Sequence, residues 1–261
     1  MAGIAAALAF SGIPDIAKIV KDFDFSKIDV RESSREDYLT VKLAPSYGKL
    51  NSESIKAMDE HLKIMIAAAL KAIAAIPPQE RSWERVIGAM TQSPLLEPKD
   101  DGISRADKLI KSGTNVFKID GSPDQGIVRE VKSWFTSLIN DEDVLNSTQI
   151  DIGVLADIVA QTGATVDHAE TILYKHERHE KTLVDIGVLR FPDPENPFFK
   201  VYRIQLEAWS SSARILFVQE DQNGISGQYN VRRFQPRSSV IEGISKDIRK
   251  KAVKEAEDLF R

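Results

Sequence analysis

The chain has 261 residues, which is enough for one large domain or two small ones. Its 35 Lys and Arg against 39 Asp and Glu give a net charge of −4, which argues against a protein dedicated to binding nucleic acid. It has no Cys and only 4 His, so disulfides, thiolate metal sites and thiol nucleophiles are excluded. We expect an ordinary hydrophobic core, no metal and no other cofactor.

The first 37 residues predict a helix and a linker outside the main domain. Apolar residues recur at helical spacing over residues 13–23, whereas residues 24–37 are polar and charged. We expect this linker to be mobile and open to cleavage by proteases at Arg31 and Arg35. The sequence therefore indicates a segment that proteolysis removes without cutting the core.

The sequence predicts no transmembrane helix and no signal peptide. It has no run of 18 consecutive apolar residues. The apolar amino end lacks the positively charged segment of a signal peptide, because the first basic residue is Lys18. We expect a soluble protein that is made in the cytoplasm and released, if at all, by a non-classical route.

The first half of the main domain predicts a strand followed by two helices. Residues 38–44 alternate apolar and polar side chains, as a strand with one buried face does. Apolar residues then recur at spacings of three and four over residues 51–76, and two prolines end this long helix. A shorter helix is predicted over residues 83–90.

The next segment predicts another strand and several helices. We expect a short helix from Ser104 to Lys111 and a strand over residues 114–120. Ser122 followed by Pro123 is typical of a helix start, and it predicts a helix to residue 140. A further helix is predicted over residues 148–160.

The last third predicts an antiparallel meander closed by a helix. Turn-type segments PDPENP, SSS and DQNG separate the predicted strands. The four predicted strands are Thr182–Phe191, Phe198–Trp209, Ala213–Glu220 and Ser226–Phe234. The run over residues 215–218 is apolar on both faces and predicts the most central strand. A charged helix is predicted over residues 243–261.

These elements predict an α/β protein with one main domain. The early strands cannot stand alone, so we expect them to join the carboxyl-terminal meander in one central, mostly antiparallel sheet wrapped by helical layers. The predicted organisation is a removable segment over residues 1–37, an α/β domain over residues 38–242 and a charged helix over residues 243–261.

The order of these elements resembles that of the Cyt-type cytolytic δ-endotoxins and their fungal relatives. The resemblance covers roughly residues 38–236. The matching segments are YLTVKLA before the long helix, NVFKID before the helix that carries Val131, Trp134, Phe135 and Leu138, and the final ARILFVQEDQNGISGQYNVRRFQP. The resemblance implies the Cyt-like fold, in which two helical layers enclose a central sheet.

The same resemblance implies a soluble protoxin that proteases trim at both ends. The trimmed form of such toxins binds phospholipid, oligomerises and permeabilises membranes. We therefore expect a membrane-active toxin, not an enzyme, whose partners are membrane phospholipids and further copies of the chain. The candidate sites of activating cleavage are Arg31, Arg35, Arg249, Lys250 and Lys251.

The predicted strands supply a candidate surface for insertion into a bilayer. Strands of about 9–11 residues span the hydrocarbon when tilted, but a soluble sheet covered by helices on one side shows the same alternation. Our hypothesis is that the helices over 51–76 and 123–140 separate from the sheet and expose it. The candidate membrane-inserting residues are Tyr202, Ile204, Leu206, Ala208, Trp209, Leu216 and Val218.

Two alternatives remain open. The first is a virulence protein of the same fold that binds lipid or a host partner without lysing membranes. The second is an enzyme centred on Asp167, His168, His176 and His179, although no nucleotide-binding loop or hydrolase motif occurs. His176 and His179 share a face only if their segment is helical, because on a strand they would lie on opposite faces.

Overall fold

The computed structural model describes residues 29–92, 96–116, 123–161, 174–215 and 218–237, together with isolated positions 243, 245, 247, 250, 251 and 254. Within these residues, six strands form one mixed sheet, and helices pack against both of its faces. The predicted single α/β domain is therefore confirmed. The helix predicted over residues 13–23 lies outside the described residues.

The sheet combines one parallel strand pair with a long antiparallel meander. Its strands are β1 (Asp29–Leu43), β2 (Leu96–Pro98), β3 (Ile103–Val116), β4 (Tyr174–Phe191), β5 (Phe198–Ile215) and β6 (Val218–Pro236). The order across the sheet is β1-β4-β5-β6, and β2 and β3 both pair with the far side of β6. The β1–β4 pair is parallel, and the other pairs are antiparallel.

Two helical layers enclose the sheet. The helices are α1 (Glu53–Ala74), α2 (Trp83–Thr91), α3 (Gln125–Ile139), α4 (Glu142–Leu145) and α5 (Ile152–Val159). The α1 and α2 helices pack on one face, which we call the α1 face. The α3, α4 and α5 helices pack on the opposite face, which we call the α3 face. Because each layer has its own buried core, the domain has three layers.

Short polar side chains set the helix ends on the α3 face. Asp124 Oδ1 accepts hydrogen bonds from the backbone N–H groups of Gly126 (2.7 Å) and Ile127 (3.3 Å), so Asp124 is the N-cap of α3. Asn140 ends this helix in the left-handed conformation, with φ of 42°. The predicted start at Ser122 and Pro123 was therefore early by two residues, while the predicted helix is confirmed.

The meander has three very long strands rather than four shorter ones. The β4, β5 and β6 strands have 18, 18 and 19 residues, and the SSS and DQNG segments lie inside β5 and β6. Ser212 Oγ donates to Asp221 Oδ1 (2.7 Å), and Ser211 N donates to Asn223 Oδ1 (3.2 Å). These turn-type residues stay in strands because they lie beside each other across the sheet and satisfy one another's hydrogen bonds.

This register also moves the run over residues 215–218 from the centre of the sheet to its end. Ile215 and Val218 face each other as the last pair of β5 and β6, and residues 216 and 217 lie outside the described residues. The prediction of a central strand there was wrong. An apolar run can lie at the end of a pair of strands as well as at the centre of a sheet. The run alone therefore did not predict where in the sheet these residues lie.

The segment from Ser104 to Lys111 is a strand and not a helix. It forms most of β3, which pairs with β6 along its whole length, and the predicted strand at Thr114 is the continuation of β3. Residues 117–120 lie outside the described residues. Tertiary pairing decides here, because Ala106, Leu109 and Ile110 follow helical spacing and yet the whole segment pairs with β6.

A bulge interrupts the edge of the sheet between β2 and β3. Pro98 pairs with Phe234 and Ile103 pairs with Val231, so residues 99–102 lie opposite only two residues of β6. Gly102 has φ of 79° and its Cα lies against the Val231 carbonyl, so a Cβ at this position would overlap that oxygen. Because of this bulge, β2 and β3 together form one edge of the sheet.

Residues 29–37 belong to the sheet rather than to a linker. They pair in parallel with β4 from His176 to Val184, and they extend the predicted strand over residues 38–44 toward the amino terminus. The polar composition that suggested a linker reflects an edge strand whose side chains are mostly exposed. Near the carboxyl terminus, the described positions 247, 250, 251 and 254 are helical, which agrees with the helix predicted there.

Candidate functional site

The β5–β6 hairpin has one apolar and one polar face over its central part. On the α3 face, Tyr202, Ile204, Leu206 and Ala208 of β5 are each fully buried. The neighbouring strand adds Ile225, Tyr229 and Val231 to the same face. The intervening residues on the α1 face are Arg203, Gln205 and Glu207 of β5 and Ser226, Gln228 and Asn230 of β6. The predicted alternation on β5 is confirmed.

Apolar side chains of α3 and α5 cover the apolar face of this hairpin. Those of α3 are Val128, Val131, Phe135 and Leu138, and those of α5 are Leu155, Ala156 and Val159. At roughly 25 cal/mol per Å² of buried apolar surface, such burial is the main contribution to the stability of this interface. The same surface could be buried in lipid instead of against helices.

A few polar contacts join α3 to the edge strand β3. Arg105 Nη1 donates to the carbonyl of Ile139 (2.7 Å), and Trp134 Nε1 donates to Asp107 Oδ2 (3.0 Å). Lys111 Nζ and Glu130 Oε2 form an ion pair of 2.6 Å between partly exposed side chains. Because water and salt weaken exposed pairs of this kind, the Lys111–Glu130 pair contributes little to holding α3 on the sheet.

Buried polar groups fix the loop between α4 and α5 to the centre of the sheet. Asp185 Oδ2 accepts hydrogen bonds from Thr148 Oγ1 (2.6 Å), Gln149 N (3.1 Å) and the Tyr202 hydroxyl (3.2 Å). Burial raises the pKa of Asp185, although these hydrogen bonds partly oppose the shift. Burial and the neighbouring Asp185 also raise the pKa of Tyr202. Sequence reasoning missed this network, whose one signal was an Asp inside an apolar strand.

The structure places the predicted membrane-inserting residues in two groups. Tyr202, Ile204, Leu206 and Ala208 lie together on the α3 face, as predicted. Trp209 follows Ala208 in the same strand and therefore lies on the α1 face, so its predicted place in this set was wrong. The Val218 backbone pairs with that of Ile215 as the last pair of β5 and β6, and its side chain lies outside the described part of the structure. Leu216 lies outside the described residues.

The histidines do not form a shared site. His176 and His179 lie on opposite faces of β4, which removes the condition on which a joint metal or acid–base site depended. His176 Nε2 lies 3.4 Å from Ser211 Oγ, and His179 Nδ1 lies 3.4 Å from Glu32. The other members of the proposed enzyme site, residues 167 and 168, lie outside the described residues. No group of three metal-ligating side chains occurs within the described part of the chain.

A row of buried polar side chains ends the apolar part of the α3 face. Glu177 of β4 lies opposite Ser212 of β5, which lies opposite Asp221 of β6. One step closer to the centre, Asn223 Nδ2 donates to the carbonyls of Val159 (3.0 Å) and Gln161 (2.8 Å) at the end of α5. These contacts close the carboxyl end of α5 and limit the apolar face to the central part of the strands.

The predicted cleavage sites differ in their surroundings. Arg31 and Arg35 are exposed, but they lie in β1, and Arg35 Nη2 also donates to the carbonyl of Pro78 (3.2 Å). A protease that cuts there must first separate β1 locally from β4. Lys250 and Lys251 are exposed and helical, and Arg249 lies outside the described residues.

Among the helices of the described residues, none has the length and apolar character needed to cross a membrane. Comparison with known proteins found no matching family model and no matching curated protein.

Proposed function

We propose that this protein binds phospholipid, self-associates and permeabilises membranes through its β5–β6 hairpin. The observation that carries the proposal is the division of the two faces over residues 202–208 and 225–231. One face holds aliphatic side chains, glycine and the two tyrosines Tyr202 and Tyr229, while the other holds charged, amide and hydroxyl groups. The helical layers on both sides of the sheet agree with the fold that the Cyt-type resemblance implies.

The β5 and β6 strands are long enough to cross a bilayer. A tilted strand needs about 9–11 residues to cross the hydrocarbon, and β5 and β6 have 18 and 19 residues, of which the two-faced segments take up seven in each strand. Lipid would contact the α3 face, and water would contact the polar face. The backbone groups at the strand edges must also be satisfied, which requires pairing between copies of the chain.

The sheet edges provide a place for such pairing. On the side away from β6, β3 has no strand partner among the described residues, and β1 has none on the side away from β4. Exposed Ile103 and Ile110 lie on β3. Unpaired edges with apolar side chains favour association with another strand, so they support self-association on a membrane.

Insertion requires that the α3 layer leave the sheet. The layer is one continuous stretch of sequence, residues 125–159, which is connected to β3 at one end and β4 at the other. It can therefore move away as a unit while β4, β5 and β6 stay paired. The long α1 helix covers a different set of residues, including Val184, Ile186 and Val201, so exposure of the α3 face does not require α1 to move.

A reversible cross-link between α3 and the sheet tests this mechanism. The exposed pair Lys111→Cys and Glu130→Cys, bridged by a bifunctional thiol reagent with a reducible bond, would hold α3 against β3 in a chain with no other Cys. We expect the bridged protein to bind vesicles of phosphatidylcholine and phosphatidylglycerol without releasing a trapped dye. Reduction should restore release.

The matched control places the same bridge within α3. Ser133→Cys and Ser137→Cys are exposed and one helical turn apart, so bridging them leaves the helix free to leave the sheet. This variant should release dye in both states. Equal release by the bridged and reduced forms of the first variant would show that α3 need not move.

Proteolytic trimming tests the protoxin part of the proposal. We expect dye release to increase after trypsin treatment and to rise steeply with protein concentration, as assembly from several copies requires. Mass spectrometry of the trimmed protein would locate the cuts relative to Arg31, Arg35 and Lys250. No release and no co-sedimentation with vesicles, before or after trimming, would overturn the proposal.

A second candidate is a lipid-binding protein that does not permeabilise membranes. The exposed Lys250, Lys251 and Lys254 on the carboxyl-terminal helix favour it, because a cationic helix surface contacts anionic headgroups without insertion. Co-sedimentation with anionic vesicles that is lost in high salt, without dye release under any condition, would support this candidate over the first.

A further inference from the structure

The polar face of the β5–β6 hairpin contains an open depression to which the membrane proposal assigns no ligand. The α1 and α2 helices cover only the half of this face near the β4–β5 turn. Beyond them, β3, β5 and β6 form a depression of about 480 Å³, within the range of roughly 300–1,000 Å³ typical of small-molecule sites. Its central side chains are Lys108, Gln205, Glu207, Ser226 and Gln228.

An aromatic ring borders this depression. Trp209 lies against Gly224 of the neighbouring strand, where any Cβ would overlap the indole ring. Lys108 Nζ lies 5.1 Å from the ring centroid of Trp209. Because Trp209 is only partly buried, the arrangement gives the open face a flat apolar surface beside polar groups.

A buried arginine orients two amide side chains of the depression. Arg203 is only 9% exposed and donates through Nη2 to Gln205 Oε1 and through Nη1 to Gln228 Oε1 (3.5 Å). Since both oxygens face the guanidinium, the amide nitrogens of the two glutamines remain as donors for another group. The sheet therefore holds these donors in fixed positions, as a preorganised site requires.

Several polar groups of the depression have no hydrogen-bond or ion-pair partner among the described residues. Within the described part of the chain, no hydrogen bond or ion pair joins another residue to the Glu207 carboxylate, the Ser226 hydroxyl, the Lys108 ammonium or the two amide nitrogens. Glu207 supplies acceptors, and Lys108 and the amides supply donors. The negative charge of Glu207 and the positive charge of Lys108 balance each other. This balance favours a neutral ligand over a phosphate or another polyanion.

We propose that this depression binds a neutral saccharide. The apolar face of a sugar ring would stack on Trp209, while its hydroxyl groups, which both donate and accept hydrogen bonds, would bond to Glu207 and to the amides of Gln205 and Gln228. The proposal does not rest on membrane permeabilisation, because it concerns the opposite face of the sheet.

The test begins with binding of the labelled full chain to an array of immobilised neutral, sialylated and sulfated oligosaccharides. Calorimetry with the neutral oligosaccharide that gives the strongest signal then measures affinity. By analogy with the stacking of a nucleobase on one aromatic ring, which is worth about tenfold or more in affinity, we expect Trp209→Ala to lose about tenfold or more. Trp209→Phe should retain most of the binding.

Two further variants keep the result interpretable. Trp134→Phe changes a tryptophan of α3, on the other side of the sheet from the depression, and this variant should bind as the unchanged protein does. Glu207→Ala removes an exposed carboxylate with no described partner, so it should stay folded and still lose most of the affinity, even if Trp209→Ala unfolds. Circular dichroism would establish that each variant is folded.

Two results would overturn the saccharide site. One is binding to no neutral oligosaccharide or only to the charged ones. The other is equal affinity of the unchanged protein and the folded Trp209→Ala or Glu207→Ala variant. Binding to the array is measured without vesicles, and dye release is measured with vesicles that lack glycolipid, so failure of the saccharide site and failure of the membrane activity are distinguishable.

Discussion

The two faces of the β5–β6 hairpin show how one pair of strands serves two environments. Leu206 and Glu207 are adjacent in the chain, yet Leu206 is fully buried under α3 and Glu207 is exposed on the other face. The difference extends along both strands with a period of two residues. Burial in this molecule therefore depends on which helical layer covers a face and not on the strand itself.

The centre of the α3 face also differs from one of its ends. Its centre is apolar, but toward the β5–β6 turn it carries Ser210, Ser212, Asp221 and Asn223, all buried. Ser212 donates to Asp221, and Asn223 donates to two carbonyls at the end of α5. The apolar stripe is thus limited to the central part of the strands, which is the length that the membrane proposal uses.

The largest expected effect is the difference in the free energy of unfolding between variants of two neighbouring residues. Leu206→Ala should lower the free energy of unfolding by about 2–5 kcal/mol, because it removes buried methyl groups and leaves a cavity under α3. Glu207→Ala should change it by no more than about 0.5 kcal/mol. Urea unfolding followed by tryptophan fluorescence measures both, and similar losses for the two variants would refute the division of the faces.

The next effect concerns the polar end of the same face. Asn223→Ala removes the donors for the carbonyls of Val159 and Gln161 and should cost about 1–3 kcal/mol, since buried acceptors lose their partners. Gln222→Ala is the control, because Gln222 is exposed on the other face. A neutral Asn223→Ala variant would mean that the end of α5 is satisfied in another way.

A smaller effect should depend on pH. Burial raises the pKa of Asp185 in the folded protein. Ionisation of Asp185 therefore lowers the free energy of unfolding as the pH rises from the ordinary carboxyl pKa through the raised pKa. Asp185→Asn keeps an oxygen acceptor for Thr148, Gln149 and Tyr202 but does not titrate. We expect the Asp185→Asn variant to become more stable relative to the unchanged protein as the pH rises through this range. Urea unfolding at several pH values measures this, and a constant difference would contradict it.

The smallest expected effect is at the exposed contact between α3 and β3. Lys111→Ala removes the ion pair with Glu130 and should change the free energy of unfolding by about 0.5 kcal/mol or less. The measurement is again urea unfolding, at low and high salt. A loss of several kcal/mol would show that polar contacts, and not apolar burial, hold the α3 layer.

Local sequence patterns predicted much of the fold because they report local causes. The spacing of apolar residues located α1, α2 and α3, and alternation located the central part of β5. The errors arose where distant partners decide the outcome. The SSS and DQNG segments remain in strands because they face each other across β5 and β6, and the segment from Ser104 to Lys111 is a strand because β6 pairs with it.

The same distinction applies to the candidate sites. Alternation alone placed Tyr202, Ile204, Leu206 and Ala208 on one face. The contact of the Trp209 ring with Gly224 could not be predicted, because it depends on the strand register between two residues that are 15 positions apart in the chain. The contact of Asp185 with the loop before α5 is equally non-local.

Hydrogen exchange with and without vesicles tests the central claim most directly, namely that the α3 layer leaves a sheet that stays paired. The account predicts that the amides of α3 and α5 lose protection on phosphatidylcholine and phosphatidylglycerol vesicles, while those of β5 and β6 keep theirs. Vesicles that release dye while α3 and α5 remain as protected as in solution would contradict it.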